Sequence, residues 1–404
     1  LQCCATGARV AQPFPGPQTY LKTSQIVIEY QANPQQKVFT KMPTKNRISS
    51  PICDLFSITH PIVLAGMNGV AGPELAAAVT NAGGLGVIGG VGYTPKFLRE
   101  TIADLKEDLN DKNGSFGIDL LLPQVGGSAR KTNYDYTGGK LPELIDIICE
   151  SGCKVFVSAV GVPPRWAVDK LHAKGIACMN MIGSTRHVKK ALAAGMDIIC
   201  AQGTEGGGHT GATATSVLIP QVVDLCKGKK SELTGGPIHV IAAGGIYDGR
   251  GLAMGLSLGA SAVWVGTRFI NSEESAAPQR HQQGVVNATS ESTHRSLIYT
   301  GRPMRILKNK YSVNWEEKRR DELDSLLAAG TLPIQHDQDE LKKGNMPEGF
   351  SSADDMLDAR PLLMGQAAGA INDKDLLPAS AIVDGMIDQC CDVMRSSVGR
   401  MSKL

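Results

Sequence analysis

The sequence lacks any marked excess of charge: 41 Lys and Arg stand against 39 Asp and Glu over 404 residues, a formal net charge of +2. So even a balance gives no footprint for a nucleic-acid groove or an acidic membrane surface. CxxC pairs are missing too. The ten cysteines, at positions 3, 4, 53, 149, 153, 178, 200, 226, 390 and 391, follow no framework spacing, which points to buried, reduced thiols in an intracellular chain. No HxxxH, Cys/His cluster or close carboxylate set is present, so no metal site is expected, and Cys149 and Cys153 read as packing residues. A GxSxG nucleophile elbow and a P-loop are also absent. Residues 61–93 carry a single charge, Glu74, and are long enough for a membrane span, but nine glycines and two prolines break them into strand–loop–helix–strand. No hydrophobic leader precedes that stretch.

Glycine is what the sequence has in quantity, 46 residues in clusters without a fixed period. Clustered glycine marks tight turns or backbone that must come close to a ligand. With 42% hydrophobic residues the chain can fill a sizeable core.

Short apolar runs recur at 61–67, 85–89, 116–121, 155–159, 177–181, 198–201, 238–242 and 262–265. Each is too short for a helix, and helix-compatible segments lie between them at 72–82, 95–109, 141–150, 164–174, 185–194, 217–226 and 249–258. Several of these open on Pro or Thr and stop at Gly, as at Gly175 and Gly195. Continuous apolar strands are buried on both faces, so the sheet is parallel and covered by helices. Eight such units predict an α/β fold, a (β/α)8 TIM barrel over residues 46–272, with a doubly wound sheet as the alternative. The longest connections, 123–139 and 203–216, fall at the C-terminal mouth of such a barrel, where ligands bind.

Outside the barrel, residues 1–45 lack apolar periodicity and read as a poorly ordered arm. Residues 273–360 form a polar, mostly helical insert after the eighth strand, with helices around 276–290 and 315–329, either a surface appendage or a cap over the mouth. Residues 361–396 read as C-terminal helices packing back on the barrel, and 397–404 as a flexible tail. That tail closes on Ser402-Lys403-Leu404, the address read by the peroxisomal import receptor, so a peroxisomal location is expected, and a cytoplasmic one otherwise.

Three clusters stand at strand ends: 65–69, 202–211, and the pair 242–246 with 265–268. Two glycine turns on consecutive strands suit a phosphate, which needs converging backbone N–H groups, and the helix opening at Gly249-Arg250-Gly251 would add a favourable dipole. Among eight histidines, His172, His187, His281, His294 and His336 read as surface residues, and His60 and His239 as structural ones at the closed end. His209, after three glycines at the mouth, is the candidate for proton transfer. Glu205 is either a second acid–base group or a turn-stabilising acid.

At these residues the sequence resembles the nitronate monooxygenases, formerly 2-nitropropane dioxygenases. The resemblance rests on Pro61-Ile-Val-Leu-Ala-Gly-Met67, the segment 72–84, Gln202 to Gly211, Ala242 to Gly251, Val263-Trp-Val-Gly-Thr-Arg-Phe269, Tyr299-Thr-Gly-Arg-Pro-Met-Arg305 and Gly365-Gln-Ala-Ala-Gly369. It implies one non-covalent FMN, with Met67, Asn68 and Asp119 near the flavin ring, Gln202 and Gly207 on the ring or ribityl chain, Gly244, Gly245, Gly266 and Thr267 on the phosphate, and Trp264 and Val265 beside them. His209 would face the substrate. The implied reaction is oxidation of an alkyl nitronate, or of a nitroalkane, with O2 to a carbonyl compound and nitrite by one-electron transfer to flavin. An FMN-dependent NAD(P)H reductase of enoyl thioesters or quinones is the alternative on the same fold. Two positions depart from the family pattern: Asp119, where Asn is common, and Thr210, where Arg often follows the histidine.

Overall fold

A computed structural model describes residues 44, 46–347, 350, 352, 359–371 and 376–401. The N-terminal arm, apart from Thr44, and the Ser402-Lys403-Leu404 tail lie outside the described residues. Eight parallel strands form the barrel: β1 (Ile62–Leu64), β2 (Gly86–Gly90), β3 (Phe116–Leu121), β4 (Val155–Ala159), β5 (Ala177–Ile182), β6 (Ile198–Gln202), β8 (His239–Ala243) and β9 (Ala262–Val265). The order β1-β9-β8-β6-β5-β4-β3-β2 is closed by a parallel bridge from Val63 to Leu85. The inserted β7 (Gly208–His209) belongs to a separate sheet described below.

Around the barrel run α2 (Pro73–Asn81), α3 (Pro95–Asp108), α4 (Leu141–Ser151), α5 (Arg165–His172), α6 (Val188–Ala193), α7 (Thr215–Cys226) and α8 (Gly249–Ser257). Proline in the first turn starts α2, α3 and α4, and the Thr94 hydroxyl accepts from the Phe97 amide to cap α3. Gly152 ends α4 in the left-handed region at φ 77°. The predicted helix at 185–194 divides into a 3-10 turn, Thr185–His187, followed by α6.

Strand side chains alternate between two cores. Ile62, Leu64, Ile118 and Val265 join the helix layer, whereas Val63, Val87, Val157, Cys200 and Trp264 fill the barrel interior. An element that the sequence did not announce, α1 (Pro51–Phe56), plugs the closed end: Ile52 and Phe56 pack among the interior side chains. Each such buried side chain contributes roughly 1.5–3 kcal/mol.

The insert carries strands as well as helices. After α9 (Thr267–Ile270) and α10 (Gln279–Val286) come β10 (Thr293–Ser296) and β11 (Met304–Leu307), then α11 (Lys310–Glu317), α12 (Arg320–Ala329) and α13 (Pro333–Lys342). Trp315, Tyr299, Tyr311 and Ile306 make its core. Within it the buried Asp337 carboxylate accepts from Tyr311 Oη, Trp315 Nε1 and both Nη atoms of Arg319. The final segment is a 3-10 turn, Gln366–Ala370, and one long helix, α14 (Ala379–Val398), begun after Pro378. His281, expected at the surface, is buried instead, because α10 turns it under the closing segment and its Nε2 bonds to the Leu363 carbonyl.

Candidate active site

The inward positions at the mouth of the barrel are small: Ala65 on the chain after β1, Gly89 on β2 and Ala159 on β4. Against them stands Asp119, inward on β3. A Cβ built on Gly66 would come within 2.7 Å of Asp119 Oδ2, and one on Gly89 within 2.4 Å of the Gly66 carbonyl carbon, so glycine alone lets these chains lie together. The Asp119 side chain is 2% exposed and its Oδ1 has no hydrogen-bond partner among the described residues. Burial raises its pKa to about 8, leaving a neutral carboxylic acid at pH 7. A buried polar atom without a partner is rare, and one at a barrel mouth is poised for a ligand.

Beside it, Gln202 ends β6 and its Nε2 donates to the carbonyls of Gly207 (3.3 Å) and His209 (3.0 Å). The loop between them is held from every side. Glu205 accepts from Thr215 N (3.0 Å) and Thr215 Oγ1 (2.8 Å), which settles it as a turn-stabilising acid. Thr210 Oγ1 donates to the Gly203 carbonyl (2.8 Å). The closing segment crosses Gly207 so closely that a Cβ there would lie 2.7 Å from the Met364 carbonyl carbon.

His209 is set by the insert. Strands β10, β11 and β7 form an antiparallel sheet with Met304 opposite His209 and Arg305 opposite Gly208. His209 Nε2 lies 3.0 Å from Thr300 Oγ1, while Nδ1 makes no bond among the described residues. Burial, with the Arg302 guanidinium nearby, lowers the His209 pKa to about 4, so the imidazole is neutral at pH 7. Thr300 and Arg302 were not singled out from sequence as site residues, although both lie in the Tyr299–Arg305 motif of the resemblance; pairing of β11 with β7 is what brings them to the mouth.

The third cluster is backbone. Gly244 and Gly245 have φ of 97° and 72°, and the amides of Gly244, Gly245, Gly266 and Thr267 donate no hydrogen bond to another backbone group among the described residues. Gly266 is confined by Ala65 and by Met67 Sδ, 3.3 and 3.4 Å from the place of a Cβ. Thr267 Oγ1 accepts from the Gly365 amide (2.9 Å). Asn68 Oδ1 accepts from the Val91 amide (3.2 Å), tying the loops after β1 and β2.

Two expectations change here. The start of α8 is not open to an anion: Asp248 already accepts from Arg250 N and Gly251 N, and Gly249 N donates to Gln389 Oε1. Gly249 exists for packing, since a Cβ on it would meet Cys390 N of α14 at 2.4 Å. The side chain of Val265 faces the helix layer and its carbonyl accepts from Ala65 N, so only Trp264 of that pair points inward.

A group not visible as a spacing motif lies at the closed end, where His172, Cys178 and Asp197 converge. Asp197 is occupied: Oδ2 accepts from Cys178 N (2.7 Å) and pairs with His172 Nε2 (2.9 Å), and Oδ1 accepts from Ser231 Oγ (2.6 Å). It reads as a tie between α5, β5 and the 231–233 turn.

The unpartnered Asp119 and the unbonded amides of Gly244, Gly245, Gly266 and Thr267 at two adjacent strand ends fit a flavin cofactor. Comparison with known proteins agrees in kind. The nitronate monooxygenase family profile matches residues 49–388. A Staphylococcus saprophyticus protein named "Probable nitronate monooxygenase" is 32% identical over 300 residues, covering 66% of this chain and 80% of that one. An indene-carboxyl-CoA dehydrogenase of Rhodococcus jostii is 35% identical over 260 residues, 64% of this chain and 66% of that one. FabK from Thermotoga maritima superposes with a TM-score of 0.68 at 27% identity, covering 88% of this chain and all of that one. With most of its length inside that profile and a barrel built around a ligand-ready mouth, the chain belongs to the nitronate monooxygenase family of flavin oxidoreductases.

Proposed function

We propose that the chain is an FMN-dependent nitronate monooxygenase, oxidising alkyl nitronates with O2 to carbonyl compounds and nitrite. The observation that carries the reading is the neutral His209 with a free Nδ1, on the loop that Gln202 holds at the barrel mouth. FMN, when bound, supplies the one-electron acceptor for a carbanion-like substrate. The protein's part is placement and proton control. Gln202 fixes the loop that presents His209, and the neutral Asp119 carboxyl offers a hydrogen-bond donor to the ring edge. Thr300 Oγ1 holds His209 Nε2, so Nδ1 is the atom turned to substrate.

The low pKa favours a nitronate over a neutral nitroalkane. With a pKa of about 4, roughly one imidazole in a thousand is protonated at pH 7, so His209 does not return a proton to the nitronate carbon. For the same reason it is a weak base towards a carbon acid, since efficient proton abstraction wants a pKa near the working pH. Nitrite release from ethyl nitronate tests the proposal: with His209 left to orient the nitronate through Nδ1, His209→Asn is expected to lower kcat/KM by about ten- to a hundredfold. Unchanged turnover in that variant refutes the role.

A second reading, an NAD(P)H-dependent reductase of thioesters or quinones, is favoured by the 35% identity to the CoA dehydrogenase. Anaerobic mixing separates the two: bleaching of the flavin by NADH supports the reductase, and bleaching by nitronate alone supports the oxygenase.

A further inference from the structure

The mouth also holds a cation with no counter-charge. Arg302, in the turn between β10 and β11, is half-buried and donates through Nε to Asn133 Oδ1 (3.2 Å) and through Nη1 to the Val160 carbonyl (3.4 Å). These use two of the five N–H donors of a guanidinium, and both on Nη2 have no acceptor among the described residues. No carboxylate among the described residues pairs with it. The nearest acid of the facing loop, Asp135, accepts from Thr137 N, Thr137 Oγ1 and Gly139 N instead. The charges that Arg302 does feel are a second cation, Arg130, whose Nη1 donates to the Gly301 carbonyl, and the Tyr136 phenol. Burying a cation beside another cation is costly unless an anion arrives to pair with it.

The backbone is shaped to hold it there. Val160, just past β4, has φ of 69°, an outlier for a β-branched residue, and it is the Val160 carbonyl that takes Arg302 Nη1. Strain of this kind, about 1–3 kcal/mol, persists where the surroundings enforce it and gathers at ligand sites. Arg302 is also close enough to His209 to act on its ring electrostatically.

We propose that Arg302, backed by Arg130, is the substrate-anion receptor of this mouth: its free Nη2 edge pairs with a planar oxyanion, a nitronate or a carboxylate, whose neighbouring carbon lies beside His209 Nδ1. The assignment rests on reading the mouth as the active site. The shared chemistry is a two-oxygen anion that a guanidinium binds in a fork. It comes from the reacting group itself or from a carboxylate tail on the same substrate.

The test uses the flavin-loaded protein as wild type, Arg302→Met and Arg302→Lys, each first checked for flavin content and circular dichroism. Nitrate and propionate binding are measured by calorimetry, with no turnover required. Arg302→Met is expected to weaken them about ten- to a hundredfold, with Arg302→Lys between. Kinetics locate the source: equal losses in kcat/KM for ethyl nitronate and propionate 3-nitronate place the nitronate on Arg302, and a loss confined to propionate 3-nitronate places the carboxylate there. Unchanged anion affinity in Arg302→Met overturns the proposal. Absence of nitrite from the wild type refutes the oxygenase reading alone, because anion binding still decides the role of Arg302.

Discussion

Replacing Asp119 by Asn removes a titrating group while keeping its shape, and the structure fixes how the effect grows with pH. The carboxyl is fully enclosed, with a pKa of about 8 when folded against an ordinary 3.8. Below about pH 4 both folded and unfolded chains hold the proton, and the group costs nothing. Between about pH 4 and 8 only the unfolded chain has released it, so each pH unit removes about 1.4 kcal/mol of stability. The penalty reaches about 4 kcal/mol at pH 7 and levels off near 6 kcal/mol above pH 8. Asn pays none of it, and the unpartnered oxygen is common to both side chains. Urea unfolding of the flavin-free protein at pH 4.5, 6 and 7.5 therefore reads a widening gap in favour of Asp119→Asn. The variant is expected to keep its flavin, because an amide offers both a donor and an acceptor. A gap that stays constant with pH, or a more stable wild type at pH 7.5, means that the carboxylate is ionised and compensated, and the account of the mouth built on a neutral acid fails.

Other outcomes follow from the same geometry. For preformed nitronate, kcat/KM stays level as pH falls through 6.5 and drops only near 4, because His209 is neutral until then; an acid limb near 6.5 in steady-state rates contradicts the burial of the ring. Gly244→Ala places a Cβ 2.9 Å from the Gly203 carbonyl oxygen at a φ of 97°, so the purified variant is expected to lose its flavin absorbance, and full flavin content argues against the phosphate cradle. Gly249→Ala drives a methyl to 2.4 Å from the α14 backbone and lowers stability by about 1–3 kcal/mol in thermal unfolding, with flavin content preserved if α8 has no part in the phosphate site.

The barrel was legible because its strands are buried on both sides: six-residue runs such as 116–121 and five-residue runs such as 155–159 carry no competing helical period, and β3 and β4 fall on them residue for residue. The glycine clusters marked the strand ends whose backbone amides are left without a backbone partner among the described residues. What sequence could not yield was contact at long range. His209 and Thr300 are 91 residues apart, and nothing local ties them; the pairing of β11 with β7 does. Strands β10 and β11, Thr-His-Arg-Ser and Met-Arg-Ile-Leu, lack a clean alternation, so a mostly helical insert was the natural expectation. Six-residue α1 is too short to show a period, though it seals the barrel. The role of Glu205 stayed open for a similar reason, as its partner Thr215 sits ten residues on, across a turn.

The reach of the closing segment has a bearing on biosynthesis. Gly365 and Gln366 donate their amides to Thr267 and to the Glu205 carbonyl, stitching the last part of the fold onto loops made far earlier. A ribosome-bound polypeptide that has delivered all eight barrel strands still lacks this strap, so the two bonds it makes to those loops form only after residue 366 has left the exit tunnel. Flavin loading is thereby expected to wait for this strap, and a chain truncated before Gly365 is expected to be purified colourless.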